Sequence, residues 1–251
     1  MQTNVIHPQA CGQLAELPDE STHTVVTSPP FNLSYRPQRS KKFNLAGYGD
    51  TCPDRLPEPE YQDGQVAILD ALGRVLAPDG SVFYNHKDRM VAGRTISPHE
   101  WLGRVKGLVL YQTITIDRGS SHNVDTVRLP PTTEYIYWLC KPGCRPRFNK
   151  SCRRWGLVWQ VCPHFETAKI NHPAPFALAV PLRCIMMSAP QASEVVLDPY
   201  AGSGTTAVAA TILGQPYVGY EVNPDYVALA GRRIADARAL WSRDQDRPET
   251  G

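Results

Sequence analysis

The chain has 251 residues, 42% of them hydrophobic and 20% charged, which suffices for the core of an ordinary α/β domain. The formal net charge is only +2, so a global basic surface for nucleic acid is excluded and any such surface must be local. No apolar run reaches the roughly 18 residues of a membrane span, and the N-terminus lacks the pattern of a secretory leader. Seven cysteines then favour reduced thiols, as in a cytoplasmic protein.

The first third of the chain predicts a strand, a long loop, a helix and a second strand. β-Branched residues at 23–27 predict a buried strand that stops at Ser28-Pro29-Pro30. Residues 31–60 show no period and predict a long loop that is either functional or disordered. Helical spacing of apolar residues predicts a helix over 61–76, and the turn at Pro78-Asp79-Gly80 precedes a strand at 81–84.

The remainder predicts strands that alternate with helices. Two strands at 108–116 and 132–140 are expected to pair antiparallel across the polar loop 117–131, and 141–167 is irregular and basic. The further predicted elements are a helix at 175–187, a strand at 194–197, a helix at 205–213, a strand at 217–220 and a helix at 224–240. Such alternation at both ends favours a mostly parallel sheet covered on both faces.

A glycine turn follows the strand at 194–197. Its sequence is Asp-Pro-Tyr-Ala-Gly-Ser-Gly-Thr-Thr, residues 198–206. Glycines let the backbone approach a ligand, and the first N–H groups of the following helix carry partial positive charge. Glu221, at the end of the next strand, is placed to accept hydrogen bonds from ribose hydroxyls. No lysine follows the second glycine and no third glycine is present, so neither a phosphate-binding P-loop nor a dinucleotide fingerprint is predicted.

Two motifs carry a resemblance to the amino-methyltransferases of DNA. Residues 198–206 resemble their motif I, D-P-F-x-G-S-G-T-T, with weaker likeness at 217–226 and 232–234. Thr27-Ser28-Pro29-Pro30-Phe31-Asn32 resembles their catalytic motif, [DNS]-P-P-[YFW]. Glu134-Tyr135-Ile136-Tyr137 resembles motif VIII, and Asn171 to Phe176 resembles motif X. The resemblance covers nearly the whole chain.

The motif order implies a fold. The catalytic motif precedes the cofactor motif, which resembles the circularly permuted β group of this family. The resemblance implies one Rossmann-like, S-adenosylmethionine-dependent methyltransferase domain over 1–251. Its sheet would be mostly parallel and seven-stranded, with one antiparallel strand. The residues implied to bind S-adenosyl-L-methionine are Asp198, Tyr200, Gly202, Ser203, Gly204, Thr205, Glu221, Asn223, His172 and Pro173.

The chemistry of an exocyclic base amine accounts for the residue types of the catalytic motif. The lone pair of that nitrogen is delocalised into the ring, and two acceptors aimed at its hydrogens can localise it for attack on a methyl group. By resemblance, the acceptors are the Ser28 side chain and the Pro29 carbonyl. Pro29 and Pro30 stiffen the turn, and Phe31 offers an aromatic face to a base that has left the duplex stack.

Ser28 favours N4 of cytosine as the target, because cytosine-N4 members of the family mostly carry Ser-Pro-Pro and adenine-N6 members mostly Asp-Pro-Pro. Adenine-N6 methylation is the alternative. A non-catalytic DNA-binding subunit and an RNA methyltransferase on the same scaffold are further alternatives. Methylation of a ring carbon is disfavoured because it needs a cysteine, typically after proline, and the chain contains only the reverse order, Cys-Pro. We assign no role to His86 or Asp88.

Two basic segments predict contact with double-stranded DNA. Residues 140–170 are expected to form a short insert for target recognition in which Trp155 and Trp159 stack on bases. The alternative is a solvated charged loop in which the tryptophans are structural. Residues 33–60 form a loop facing the active site and DNA. The basic residues expected at DNA are Arg36, Arg39, Lys41, Lys42, Arg145, Arg147, Arg153 and Arg154. The irregular cysteines of the insert lack a Cys-x-x-Cys pair, so no metal site is predicted. A homodimer and a separately encoded restriction endonuclease are the protein partners that the resemblance leaves open.

Overall fold

A computed structural model describes residues 1–33, 54–119, 127–161, 177–188 and 190–245. The strands are β1 (Val5–His7), β2 (Thr22–Thr27), β3 (Leu76–His86), β4 (Arg89–Val91), β5 (Arg94–Ile96), β6 (Val109–Asp117), β7 (Thr133–Cys140), β8 (Val158–Gln160), β9 (Val196–Asp198) and β10 (Tyr217–Tyr220). The helices are α1 (Glu58–Val75), α2 (His99–Leu102), α3 (Ala179–Ser188), α4 (Thr205–Ile212) and α5 (Pro224–Gln245), with a 3-10 turn at Lys150–Trp155.

Eight strands form one twisted sheet in the order β1-β10-β9-β2-β3-β7-β6-β8. Within this sheet β7 runs antiparallel to both of its neighbours, and all the other pairs are parallel. The mostly parallel sheet and the antiparallel pairing of β6 with β7 are therefore confirmed. The strands β4 and β5 form a separate small hairpin.

The two faces of the sheet bury two apolar clusters, because successive side chains of a strand point to opposite faces. Val25 packs in the cluster formed with α1 and the N-terminal segment, and its neighbour Val26 packs in the cluster formed with α3, α4 and α5. All six residues of β2 are buried. The N-terminal segment is tied to α1 by Arg74, whose guanidinium donates to the carbonyls of Leu14 and Leu17 at 2.6 and 2.9 Å.

The expected count of seven strands was wrong by one. Val158–Gln160 adds an eighth strand beside β6, in a stretch that the sequence indicated to be irregular. Only three residues long, β8 carries too little periodicity to be detected in sequence.

The turn predicted at Pro78-Asp79-Gly80 was also wrong, because these residues lie inside β3. There the register with β2 shifts from Thr22 opposite Leu76 to Thr24 opposite Ser81, so the turn-forming residues occupy a bulge.

Among the described residues, no helix combines the length and hydropathy of a membrane-spanning segment.

Candidate active site

Parallel pairing brings the carboxyl ends of β10, β9, β2 and β3 to one edge of the sheet. Thr24 lies opposite Val196 and Thr27 opposite Tyr84. The hydroxyl of Thr27 donates to the Asp198 carboxylate at 2.8 Å, and the hydroxyl of Thr206 donates to the Val26 carbonyl at 3.2 Å. The segments that carry the catalytic and cofactor motifs therefore lie side by side at this edge.

The glycine turn between β9 and α4 can be formed only without side chains at its glycines. Gly202 and Gly204 have φ angles of 52° and 77°, a region that residues with a Cβ rarely adopt. A Cβ on Gly204 would lie 2.6 Å from the Cβ of Ala230 on α5. The turn is thus packed closely against α5 at the start of α4.

Glu221 links this turn to the loop after β10. Its two carboxylate oxygens accept the backbone N–H groups of Gly202 at 2.9 Å and Asn223 at 2.8 Å. Burial raises the pKa of Glu221, and the two N–H donors act to lower it. Asn223 itself is at the start of α5, where its side-chain oxygen accepts the N–H of Asp225 at 2.9 Å.

Asp198 lies beneath the turn. The side chain is buried and accepts the Thr27 hydroxyl and the Tyr200 N–H, both through Oδ1. Burial raises the pKa of Asp198 to about 6, although the nearby hydroxyls of Thr206 and Thr27 and the Tyr200 N–H act in the opposite direction. The buried Asp198 carboxyl group therefore connects the end of β2, which precedes the catalytic motif, to the glycine turn.

Arg233 of α5 holds the turn from the other side, a contact that sequence reasoning missed. Its guanidinium donates to the Ser203 carbonyl at 2.6 Å, to the Ser203 hydroxyl at 2.9 Å and to the Thr205 hydroxyl at 3.0 Å. Ser203 and Thr205 are both buried. The family resemblance at 232–234 includes Arg233 but does not indicate its partners. Those partners in the glycine turn lie 28 to 30 residues earlier in the sequence.

The catalytic motif leaves the carboxyl end of β2. Ser28 is half-buried, and its hydroxyl donates to Oδ1 of Asn85 at 3.0 Å. Asn32 has a φ of 56°, and its amide exchanges two hydrogen bonds with the backbone of Leu56, at 2.8 and 2.9 Å. These bonds anchor both ends of the Pro29-Pro30-Phe31 turn.

His86 and Tyr61 fix the middle of this turn. The Tyr61 hydroxyl donates to the Pro30 carbonyl at 2.8 Å and lies 2.7 Å from Nε2 of His86. Because the carbonyl can only accept, the single phenolic hydrogen is used there and Nε2 must be the donor to Tyr61. Nδ1 lies 2.8 Å from both the backbone nitrogen and the carbonyl oxygen of Lys87, and in this tautomer it accepts the Lys87 N–H.

The imidazole of His86 also supports Phe31. The two ring centroids are 4.5 Å apart, and His86 is fully buried. Burial lowers the pKa of His86 to about 3, so the ring is neutral at physiological pH. Sequence reasoning gave His86 no role, although a polar residue at the end of a strand was a usable signal. His86 lies under the catalytic motif because its strand, β3, is the neighbour of β2 in the sheet.

Of the basic residues expected to contact DNA, some are exposed in the structure and others lie outside the described residues. Arg145, Arg153 and Arg154 are exposed. Arg36, Arg39, Lys41 and Lys42, and the expected cofactor residues His172 and Pro173 with the rest of motif X, are outside the described residues.

Arg147 lies at the opposite edge of the sheet. It donates to the carboxylates of Asp79 and Glu194, each at 2.7 Å, near the amino ends of β3 and β9. Its charge is thus engaged away from the carboxyl ends of the strands, and we leave Arg147 out of the DNA surface.

Base stacking on Trp159 was a wrong expectation. The indole is 1% exposed, packs in the core and donates to the Gly156 carbonyl at 3.2 Å. Trp155 is half-buried, and the Arg183 guanidinium lies 5.9 Å from its ring centroid and 5.3 Å from that of Trp159. The tryptophans of this insert therefore pack the helix α3 against the edge strand β8.

Comparison with solved structures finds the same fold. The protein TTHA0409 of Thermus thermophilus, crystallised in complex with S-adenosyl-L-methionine, superimposes with a TM-score of 0.64 at 24% identity, covering 93% of this chain and 94% of that one. The PvuII DNA methyltransferase (cytosine-N4-specific) superimposes with a TM-score of 0.68 at 21% identity, covering 92% and 88% of the two chains. The Rossmann-like fold of S-adenosylmethionine-dependent DNA methyltransferases is thereby confirmed.

Sequence comparison finds restriction-modification methyltransferases. The type II methyltransferase M.BglII of Bacillus subtilis is 26% identical over 252 aligned residues, covering 86% of this chain and 64% of the relative. The type II methyltransferase M1.MboII of Moraxella bovis is 25% identical, covering 92% and 96%. The DNA methylase family model N6_N4_Mtase matches residues 22–232, most of the chain. The chain therefore belongs to the N6/N4 family of DNA methylases.

Proposed function

We propose that this chain methylates N4 of cytosine in double-stranded DNA, on a base turned out of the duplex. One observation carries the proposal. The 2.8 Å contact between Thr27 and Asp198 holds the Ser28 hydroxyl and the glycine turn at the same edge of the sheet. An acceptor for an amine and a binding site for a methyl donor are therefore neighbours at this edge.

S-adenosyl-L-methionine is the methyl donor, and TTHA0409 of the same fold is complexed with it. The residues here fit such a ligand. The glycine turn places half-buried Gly202, which has no side chain, just before a helix N-terminus, and the Glu221 carboxylate lies directly against that turn. The residues that would hold it are Tyr200, Gly202, Ser203, Gly204, Thr205, Glu221 and Asn223, with His172 and Pro173 of motif X. Asp198, which is buried beneath them, positions the turn instead.

The catalytic motif acts on the target nitrogen. The Ser28 Oγ and the Pro29 carbonyl would accept hydrogen bonds from its two N–H groups, which localises the lone pair on nitrogen for in-line attack on the methyl group. One of the two amine protons is then lost to solvent. Phe31, supported from behind by His86, contacts the extruded base. The rate gain comes from positioning and from preorganised acceptors, and no covalent link between enzyme and base is formed.

Ser28 is the reason for assigning cytosine, because Ser-Pro-Pro is the more frequent form of the motif in cytosine-N4 enzymes. Adenine-N6 methylation uses the same acceptors and is the alternative outcome. For the DNA surface we propose the exposed Arg145, Arg153 and Arg154, together with Arg36, Arg39, Lys41 and Lys42. Cationic side chains on phosphates supply affinity without sequence preference.

Nucleoside mass spectrometry tests the proposal. Purified protein is incubated with S-adenosyl-L-methionine and unmethylated plasmid DNA, the DNA is digested to nucleosides, and Ser28→Ala is run in parallel. We expect N4-methylcytosine with the wild type and a loss of about 100-fold or more with Ser28→Ala. Only N6-methyladenine would reject the cytosine assignment. Methylated RNA without methylated DNA would reject DNA as the substrate, and absence of any methylated product would reject catalysis.

A further inference from the structure

A serine hydroxyl can donate or accept a hydrogen bond, and the proposed role of Ser28 requires that it accept. An aspartate at this position is an acceptor in every orientation, but a serine presents its lone pairs to the target only if its hydrogen points elsewhere. In this chain the hydrogen of Ser28 points to Asn85, whose Oδ1 is 3.0 Å from the hydroxyl oxygen.

The direction of that hydrogen bond follows from the next contact. The Nδ2 of Asn85 lies 3.1 Å from the Tyr135 carbonyl oxygen. A carbonyl can only accept, so the amide nitrogen must face Tyr135 and the amide oxygen must face Ser28. The amide oxygen also can only accept, which leaves Ser28 as the donor.

The sheet itself holds Asn85 in this orientation. Asn85 is on β3, which pairs with β2 on one side and with the antiparallel β7 on the other. Its side chain is 1% exposed, so water does not compete for the amide. Tyr135 comes from β7, where it lies opposite His86 in the register. The hydrogen-bonded chain thus runs from the Tyr135 carbonyl on β7 through Asn85 on β3 to Ser28, which directly follows β2.

We propose that Asn85 is a positioning residue that holds the Ser28 hydroxyl as a hydrogen-bond acceptor for the target amine. The inference rests on the proposed role of Ser28. With its hydrogen engaged by Asn85, Oγ of Ser28 turns only lone pairs to the half-buried side where the base would enter. Donation to Asn85 also polarises the hydroxyl and strengthens it as an acceptor. Without Asn85, the hydroxyl rotates freely and directs its hydrogen at the amine in part of its orientations.

Two substitutions at position 85 separate this role from a structural one. Asn85→Ala removes the acceptor of the Ser28 hydrogen. We expect kcat to fall roughly 10- to 100-fold, with the Kd for S-adenosyl-L-methionine within about 2-fold of wild type. Asn85→Asp keeps an oxygen facing Ser28 whether its carboxyl group is protonated or not. We expect it to recover kcat to within about 5-fold of wild type, even if its thermal stability falls.

Ser81→Ala is the matched control. Ser81 is buried in the middle of the same strand, and its hydroxyl accepts the Trp138 indole N–H at 3.0 Å. We expect this variant to lose stability and keep kcat. A folded Asn85→Asp variant as slow as Asn85→Ala would overturn the inference.

A double-mutant cycle supplies the second test. In a Ser28→Ala background, measured by single-turnover transfer of a labelled methyl group, Asn85→Ala should change the rate by less than about 2-fold, since no hydroxyl remains to be oriented. Equal losses in both backgrounds would show that Asn85 acts through the fold, against the inference. If Ser28→Ala itself leaves kcat unchanged, it is the proposed role of Ser28 that fails.

Discussion

Thr27 and Asp198 are 171 residues apart in sequence, and their side chains are joined by a buried hydrogen bond of 2.8 Å. The bond lies directly under the two functional segments, since Ser28 follows Thr27 and the glycine turn follows Asp198. A shift of β2 relative to β9 would change the distance between the Ser28 hydroxyl and the glycine turn. The active site therefore depends on the pairing of two strands as much as on its own residues.

Asp198 should make a recognisable contribution to the pH dependence of stability. Its folded-state pKa of about 6 lies above the ordinary value of 3.8, so the folded state binds the proton more tightly than the unfolded state. Stability from this group is then present below about pH 4 and is lost as the pH rises to 6, by ~3 kcal/mol in all. Urea unfolding between pH 4 and 7 should show this slope in the wild type and a flatter one in Asp198→Asn. Parallel curves for the two proteins would contradict the raised pKa.

Tyr61→Phe should slow catalysis because it removes the hydroxyl that holds the Pro29-Pro30-Phe31 turn in place. The change leaves the Pro30 carbonyl and Nε2 of His86 without the phenolic oxygen that each contacts. We expect kcat to fall by about 10-fold and the free energy of unfolding by roughly 1–3 kcal/mol. Tyr84→Phe is the control, because its hydroxyl donates to Gln65 at 2.8 Å away from Pro30. It should cost stability only, and an equal loss of kcat in both variants would show a general packing effect.

Gly204→Ala and Gly231→Ala should change stability in opposite directions. An alanine at 204 is strained by the φ of 77° and collides with Ala230, so we expect a loss of roughly 3 kcal/mol. Gly231 is exposed in α5 with no atom within 4 Å of the position that an alanine methyl group would take, and alanine there should stabilise by about 0.5–1 kcal/mol. Urea unfolding measures both. A neutral Gly204→Ala would mean that the turn can rearrange.

Glu221→Gln should weaken cofactor binding. The new amide must direct an NH₂ group at a backbone N–H of Gly202 or Asn223, both of which now donate to the carboxylate. We expect the Kd for S-adenosyl-L-methionine, measured by calorimetry, to rise by about 10-fold. Glu194→Gln alters a carboxylate at the opposite edge that is paired with Arg147, and it should leave that Kd unchanged. Unaltered affinity in Glu221→Gln would remove Glu221 from the cofactor site.

The salt dependence of DNA binding should distinguish the exposed arginines from the ion-paired Arg147. If Arg153 and Arg154 each neutralise a phosphate, replacing both with methionine should reduce the slope of log K against log salt by about 2. Arg147→Met should leave the slope unchanged and lower the free energy of unfolding, because Asp79 and Glu194 lose their shared partner. A normal slope in the double variant would place both arginines away from the DNA.

The sequence by itself determined the two motifs, their order and most of the helices and strands, since burial periodicity and turn chemistry act over a few neighbouring residues. Only the tertiary structure decided that Asn85, Tyr61 and His86 support the catalytic turn, that Arg147 lies at the far edge, and that Trp159 is a core residue. Strand neighbours and register are set by contacts between residues tens to hundreds of positions apart. The partners of a polar side chain at a strand end are decided by those contacts and leave no local pattern.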